Sequence, residues 1–235
     1  MAQAAEIITN NVAVVRDRIA NAAGRSGRDL RSIKLVAVTK YVDPSRVRDL
    51  ITAGVDTLGE SRPQELWTKA KVLTDVDVDW HLVGHLQRNK IRRTLPWVRL
   101  IHSVDSVRLA EAISEEAGRS GRQARVLLEV NVSGDASKHG FAPDELPAKL
   151  GRISDLDHLD VRGLMTMAHR EGGPEAARRD FAQLRELRDR LAADLPVKMS
   201  LGELSMGMSG DFEEAIAEGA TLVRVGSALF ENLSP

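Results

Sequence analysis

Apolar residues along this chain follow two rhythms that take turns. Short, nearly continuous apolar runs mark strand candidates at 35–40, 57–60, 80–84, 99–103, 125–131, 161–167, 201–205 and 222–226. The segments between them carry helix signatures. "DPSRVRDLITAG" has a proline near its first turn and Gly54 at its end. "DSVRLAEAISEEAGRSG" starts on a capping residue and ends in glycines. "GPEAARRDFAQLRELRDRLAADLP" sets Phe181, Leu184, Leu187 and Leu191 on one side of a long helix. "SGDFEEAIAEGA" opens on Ser, Gly and Asp and closes on Gly219. Ahead of the first strand, "MAQAAEIITNNVAVVRDRIANAAGRSGRD" repeats Ile7, Val12, Val15 and Ile19 at helical spacing.

Short βα units in series predict a parallel sheet with right-handed crossovers. Eight of them in 235 residues favour an α/β fold of the (β/α)8 TIM barrel type, which takes about 250 residues. The N-terminal helix is extra to that plan. An open doubly wound sheet is the alternative. No proline-rich linker, charge block or low-complexity tract divides the chain, so residues 1–235 read as one domain.

Composition narrows the partners. Lys+Arg 33 against Asp+Glu 34 leaves a net charge of −1, no field for gathering nucleic acid or an anionic membrane. No apolar run reaches the roughly 20 residues of a membrane span, and the N-terminus lacks the pattern of a signal peptide. The chain has no cysteine, which excludes disulfides, thiolate catalysis and zinc–sulfur sites and fits a reducing cytoplasm.

In such a barrel the chemistry sits at the carboxyl ends of the strands. The first end delivers Thr39 and Lys40, the second Glu60 and Ser61, and the third Gly84, His85 and Gln87. The fourth carries His102, Ser103 and Asp105, the fifth Asn131 and Ser133, and the sixth Met165, Met167 and His169. The seventh turns into a helix through "LSMGMSGD", with Ser205, Gly207, Ser209 and Gly210. The eighth, "VRVGSA", repeats the theme with Gly226 and Ser227. Small residues let backbone N–H groups converge on an anion, and a following helix start adds positive partial charge. Glycine and serine also make ordinary tight turns and caps. Their recurrence on two adjacent strands tips the reading to phosphate binding, which this fold places after strands seven and eight.

Lys40 has two readings. It flanks a strand in water, or it is placed for chemistry. A neutral amine forms a Schiff base with an aldehyde, and burial at a barrel mouth favours the neutral form of a lysine. A phosphate site across the mouth then points to a phosphorylated aldehyde: pyridoxal 5′-phosphate, or a sugar phosphate carbonyl. Arg224, inside an otherwise apolar strand, needs an acceptor. Its planar fork suits a ring nitrogen or a phosphate.

"LVAVTK", "LGES", "WHLVGHLQRNK", "IHSVDS", "VNVSGDASKHG", "GLMTM", "LSMGMSGDFEEAI" and "VRVGSALF" appear in that order. Together they resemble the pyridoxal 5′-phosphate homeostasis proteins, the YggS/PROSC family, from about Leu35 to Phe230. The resemblance implies a barrel similar to the alanine racemase N-terminal domain. It implies that Lys40 holds pyridoxal 5′-phosphate as a Schiff base. Ser205, Met206, Gly207, Gly226 and Ser227 are then expected to hold the phosphate, with Arg224 near the pyridine nitrogen. Asn131, His85 and the pair Met165 and Met167 are expected to line the pocket, with Lys138 near the mouth. The family usually reads "GEN" where this chain has Ser61 as the third residue, so one polar contact is shortened.

The resemblance implies a non-catalytic role in intracellular pyridoxal phosphate homeostasis. Such a carrier or reservoir supplies apo-enzymes as transient partners and limits free aldehyde. The alternative is a cofactor-dependent amino-acid racemase or related enzyme. A two-base racemase needs an acid/base on each face of the substrate carbon, and in the racemase relatives the second comes from a C-terminal β-domain. The eighth strand here is followed closely by Pro235, so a monomer without that domain is expected.

Overall fold

A computed structural model, which describes residues 2–135, 137–169, 171–195 and 199–233, closes the βα repeat into a barrel. Its strands are β1 (Lys34–Val38), β2 (Thr57–Glu60), β3 (Asp79–Leu82) and β4 (Leu100–Val104). They continue with β5 (Ala124–Glu129), β6 (Leu159–Met165), β7 (Glu203–Ser205) and β8 (Leu222–Val225). Each pairs in parallel with its neighbour in chain order, and β8 returns to β1 with Lys34 opposite Leu222 and Ala37 opposite Val225. The expected (β/α)8 barrel is therefore the observed one.

The helices are α1 (Ala2–Arg25), α2 (Pro44–Thr52), α3 (Pro63–Val72) and α4 (Ile91–Thr94). After them come α5 (Val107–Arg119), α6 (Leu146–Ser154), α7 (Gly173–Ala192) and α8 (Phe212–Ala217). Local chemistry explains several boundaries. Prolines open α2 and α3, where a missing N–H costs nothing. The Ser106 hydroxyl accepts from the Leu109 N–H to cap α5. On α7 the stripe Phe181, Leu184, Leu187 and Leu191 is buried as expected. On α1 the buried face is Ile8, Val12, Val15 and Ile19; Ile7 stays half-buried, so the stripe lies one residue later than expected at its start. This helix packs on α2 and α8 as part of the outer layer. Arg18 ties it to Glu213 at 3.1 Å and lies over the Phe212 ring.

Inside the barrel, residues two apart on a strand point the same way. Val36, Leu100, Leu127, Met165 and Leu222 form an apolar layer. Two residues further along their strands, His102, Glu129 and Arg224 form a polar layer nearer the carboxyl ends. β1, β3, β5 and β6 each stop two residues earlier than the sequence pattern suggests. The polar ends of those runs leave the ladder and become the rim. At β1 the break is sharp: the Thr39 N–H still bonds the Gly59 carbonyl, and Tyr41 then takes a left-handed φ of 63°. A positive φ at a large residue is a strained choice that clusters at functional rims.

Among the described residues no helix is long and apolar enough to cross a membrane.

Candidate functional site

The strand ends surround a cavity of about 450 Å³. Lys40, Ser61, His85, Arg224, Gly226 and Ser227 line it, drawn from four separate strand ends. Asn131, Met165, Ser205, Met206 and Gly207 do not line it, and each is occupied elsewhere. The Asn131 side chain donates to the Asp135 carbonyl and accepts from the Ser133 hydroxyl, closing the turn after β5. Met165 sits in the apolar layer below, and Met167 lines the cavity in its place. The Met206 N–H bonds the Leu222 carbonyl in the ladder. Gly207 turns the chain at φ +88°, and a Cβ there would lie 2.6 Å from the Ala215 Cβ. Its role is to let the loop cross the start of α8. Lys138 is pinned too, donating to Ser133 at 3.1 Å and to the Ala168 carbonyl at 2.9 Å.

Lys40 is exposed rather than half-buried. What holds it is its backbone. Behind it, Lys69 Nζ donates to the Thr39 carbonyl at 2.6 Å and to Glu60 Oε2 at 2.6 Å. Glu60 Oε1 accepts the Ser61 N–H at 2.8 Å, and Thr39 Oγ1 donates to Glu60 Oε2. One buried ion pair thus ties the exits of β1 and β2 to α3. The neighbouring Gly84 is required by the same close packing, because a Cβ there would lie 2.2 Å from the Ser61 carbonyl oxygen.

Arg224 is fully enclosed at the cavity floor. Its Nη1 donates to Ser205 Oγ at 2.6 Å, and its Nη2 donates to the Thr166 carbonyl at 2.9 Å. Ser205 was expected at the phosphate; its hydroxyl instead belongs to this interior network. The Ser205 hydroxyl also bonds His102 Nδ1, 2.8 Å away, and His102 Nε2 bonds His81 Nδ1 at 2.9 Å. Both imidazoles are neutral at pH 7. Burial pushes His81 down to about 3, with Lys34 and Arg99 adding to the effect. Burial also holds His102 well below the usual histidine range, followed by His81 and Arg224. Burial lowers Arg224 itself to about 10, against the pull of Glu129 and Asp211, so it stays a cation at neutral pH.

A pH dependence follows. Above pH 6.5, His81 is neutral folded and unfolded and contributes nothing. Below 6.5 the unfolded chain takes a proton that the folded one refuses until about pH 3, so the fold loses stability. At about pH 5 the loss from this group is roughly 2 kcal/mol. His81→Asn keeps a hydrogen-bond partner for His102 and should remove that part of the pH 7 to pH 5 loss in urea unfolding. An equal loss in both proteins would mean that His81 titrates normally inside the barrel.

The small-residue loops after β7 and β8 meet at Ser209. Its hydroxyl accepts the Gly226 N–H at 3.2 Å and the Ala228 N–H at 3.4 Å. Ser209, Gly210, Gly226 and Ser227 all line the cavity. These are N–H and O–H groups gathered on one wall, a surface suited to an anion. The expected helix contribution is small. α8 has six residues and is preceded by Asp211, whose carboxylate takes the Met208 N–H at 2.5 Å.

Sequence reasoning missed Glu129, His139 and Met208, which also line the cavity. Burial raises the Glu129 carboxyl to about 7, Asp105 pushes the same way and Arg224 opposes. Nothing in "LLEVNV" distinguishes Glu129 from an outward-facing strand residue; only its position two after Leu127 in the closed barrel does. His139 stacks on His85 with ring centroids 4.7 Å apart.

The alanine racemase N-terminal domain family matches residues 8–233. The chain is 42% identical to the pyridoxal phosphate homeostasis protein of Aquifex aeolicus, over 92% of this chain and 94% of that one. This chain belongs to the pyridoxal phosphate homeostasis protein family. The homeostasis-family barrel also superposes on PipY of Synechococcus elongatus, solved with pyridoxal phosphate bound. That match has a TM-score of 0.84, 37% identity and coverage of 95% of this chain and 99% of PipY. Its likeness to an alanine racemase of Clostridium difficile, at 17% identity and a TM-score of 0.73 over 57% of that chain, is one of fold alone. In this homeostasis-family member Ser61 presents a short hydroxyl beside Lys40.

Proposed function

We propose that this chain binds pyridoxal 5′-phosphate through Lys40. On this reading it acts as an intracellular carrier and reservoir, supplying apo-enzymes and limiting free aldehyde. The observation that carries the reading is a single cavity with a primary amine on one wall and the Ser209 and Ser227 hydroxyls beside Gly210 and Gly226 on another. The residues fit such a ligand. Ser209, Gly226 and Ser227 would hold the phosphate, and Arg224 would face the ring nitrogen. A fixed cation there disfavours protonation of that nitrogen and so weakens the ring as an electron sink. When bound, the cofactor would supply an aldehyde with which the Lys40 amine could condense, releasing water. His85 and Met167 would bound the remaining space. The homeostasis proteins and cofactor-bound PipY support the same reading. It sets the protein in the cytoplasm, as a monomer.

The proposal is of a binding protein whose chemistry ends at that condensation. Tyr41, the one tyrosine, is 81% exposed and turned onto Arg62, outside the cavity. One observation favours the second reading, an enzyme of the racemase kind: Glu129, a cavity carboxyl near pH 7 in its titration, is the sort of group that moves protons. Transfer separates the two. Loaded protein mixed with an apo-enzyme, with a scavenger for free aldehyde present, should restore enzyme activity, and amino acids should keep their configuration. Absence of transfer with racemisation at ~1 s⁻¹ or faster would replace the carrier reading with the enzyme one.

A further inference from the structure

Three side chains, two of them lining the cavity, converge beside the barrel mouth. His85 follows β3, Asp105 follows β4, and His139 stands in the loop after β5. His85 Nδ1 lies 3.3 Å from Asp105 Oδ2, and His139 Nδ1 lies 3.8 Å from the same oxygen. The three ligand-type atoms are all within 4.8 Å of one another. Both are ion-pair distances, the first at the outer edge of the hydrogen-bond range and the second beyond it. Ligands sharing a tetrahedral ion at bonds of about 2.0–2.2 Å stand about 3.3–3.6 Å apart. The first contact matches that edge, and the second is slightly longer. His139 is 64% exposed, which leaves its ring room to turn inward, while Asp105 is 12% exposed and fixed.

We propose that His85, Asp105 and His139 form a binding site for a borderline-soft divalent cation of the zinc type. Two imidazoles and one carboxylate are the donor set that such ions accept. Three protein ligands leave a fourth position open, and with His85 and His139 both lining the cavity it faces the cavity. Glu129, whose carboxyl is close enough to Asp105 to be perturbed by it, lines the same cavity. The cations Lys40 and Arg224 come from β1 and β8, neither of which pairs with β3, β4 or β5. The site shares His85 with the cofactor cavity, so it is probed in the cofactor-free protein.

The test is Zn2+ binding to the cofactor-free, full-length protein, by competition with a chromophoric chelator and by calorimetry. One equivalent per chain is expected. His139→Ala, at an exposed position, and Asp105→Asn should each weaken binding by about 100-fold. His169→Ala, which removes a histidine paired with Asp180 elsewhere, should bind as the wild type does. Circular dichroism checks that each variant is folded. Substoichiometric zinc in the wild type, or wild-type affinity in folded His139→Ala, would overturn the site.

Discussion

The Lys40→Ala protein is expected to form no borohydride-stable adduct with pyridoxal 5′-phosphate, whereas the wild-type protein acquires one on the peptide containing Lys40. The expectation rests on how the amines near the cavity are committed. Lys40 is exposed and lines the cavity. Lys138, the next nearest in the sequence motifs, is held by three acceptors: the Ser133 hydroxyl and the carbonyls of Met167 and Ala168. Lys69 is buried against Glu60. Removing an exposed side chain should leave stability within about 0.5 kcal/mol, so loss of the adduct cannot be ascribed to unfolding. Weak, reversible binding through Ser209, Gly226 and Ser227 should persist. Peptide mass mapping after reduction reads the result. A stoichiometric adduct on Lys138 in either protein would refute the assignment.

Lys69→Met should cost about 3–5 kcal/mol of stability. The pair it breaks is 3% and 0% exposed with Nζ and Oε2 at 2.6 Å. Methionine fills much of the volume, but it leaves Glu60 as a buried carboxylate without its cation. It also frees the Thr39 carbonyl that Lys69 holds, so the residue before Lys40 loses its tether. Slower adduct formation on Lys40 should accompany the loss of stability. Adding Glu60→Gln removes the buried charge while keeping an acceptor for the Ser61 N–H, and it should recover a large part of the stability. It should not restore the tether on Thr39, so adduct formation should stay slow. Urea unfolding and the rate of adduct formation measure the two effects separately. A stability loss below about 1 kcal/mol would show that the pair behaves like a solvated one.

The two variants sit one strand end apart, and together they show where local pattern ends and tertiary structure begins. Lys40 was legible because a lysine at the carboxyl end of an apolar run is unusual and because this fold keeps its chemistry there. Gly226 and Ser227 were legible for the same reason, and so was the order of strands and helices. Ser205, Met206 and Asn131 were read into the cavity because loop motifs reveal residue type and place along the chain. They do not reveal which groups the ladder and the turns already use. The Met206 N–H is spent on Leu222, and the Asn131 amide is spent on its own loop.

Lys69 and Glu129 came from no motif, and His139 stands in "VNVSGDASKHG" with nothing there to single it out. Lys69 lies on α3 and reaches the exit of β1 only because the helix packs beside β2. Glu129 shares the inner face with Arg224 because β5 and β8, three strands apart, belong to one closed sheet. By itself the sequence determined the period of each element, the barrel those periods require, and the lysine at its rim. These depend on local geometry: two residues per strand repeat, 3.6 per helical turn, and glycine or proline at the breaks. Only the tertiary structure decided which side chains share the cavity, because a strand's two faces read alike until its neighbours set which one looks inward.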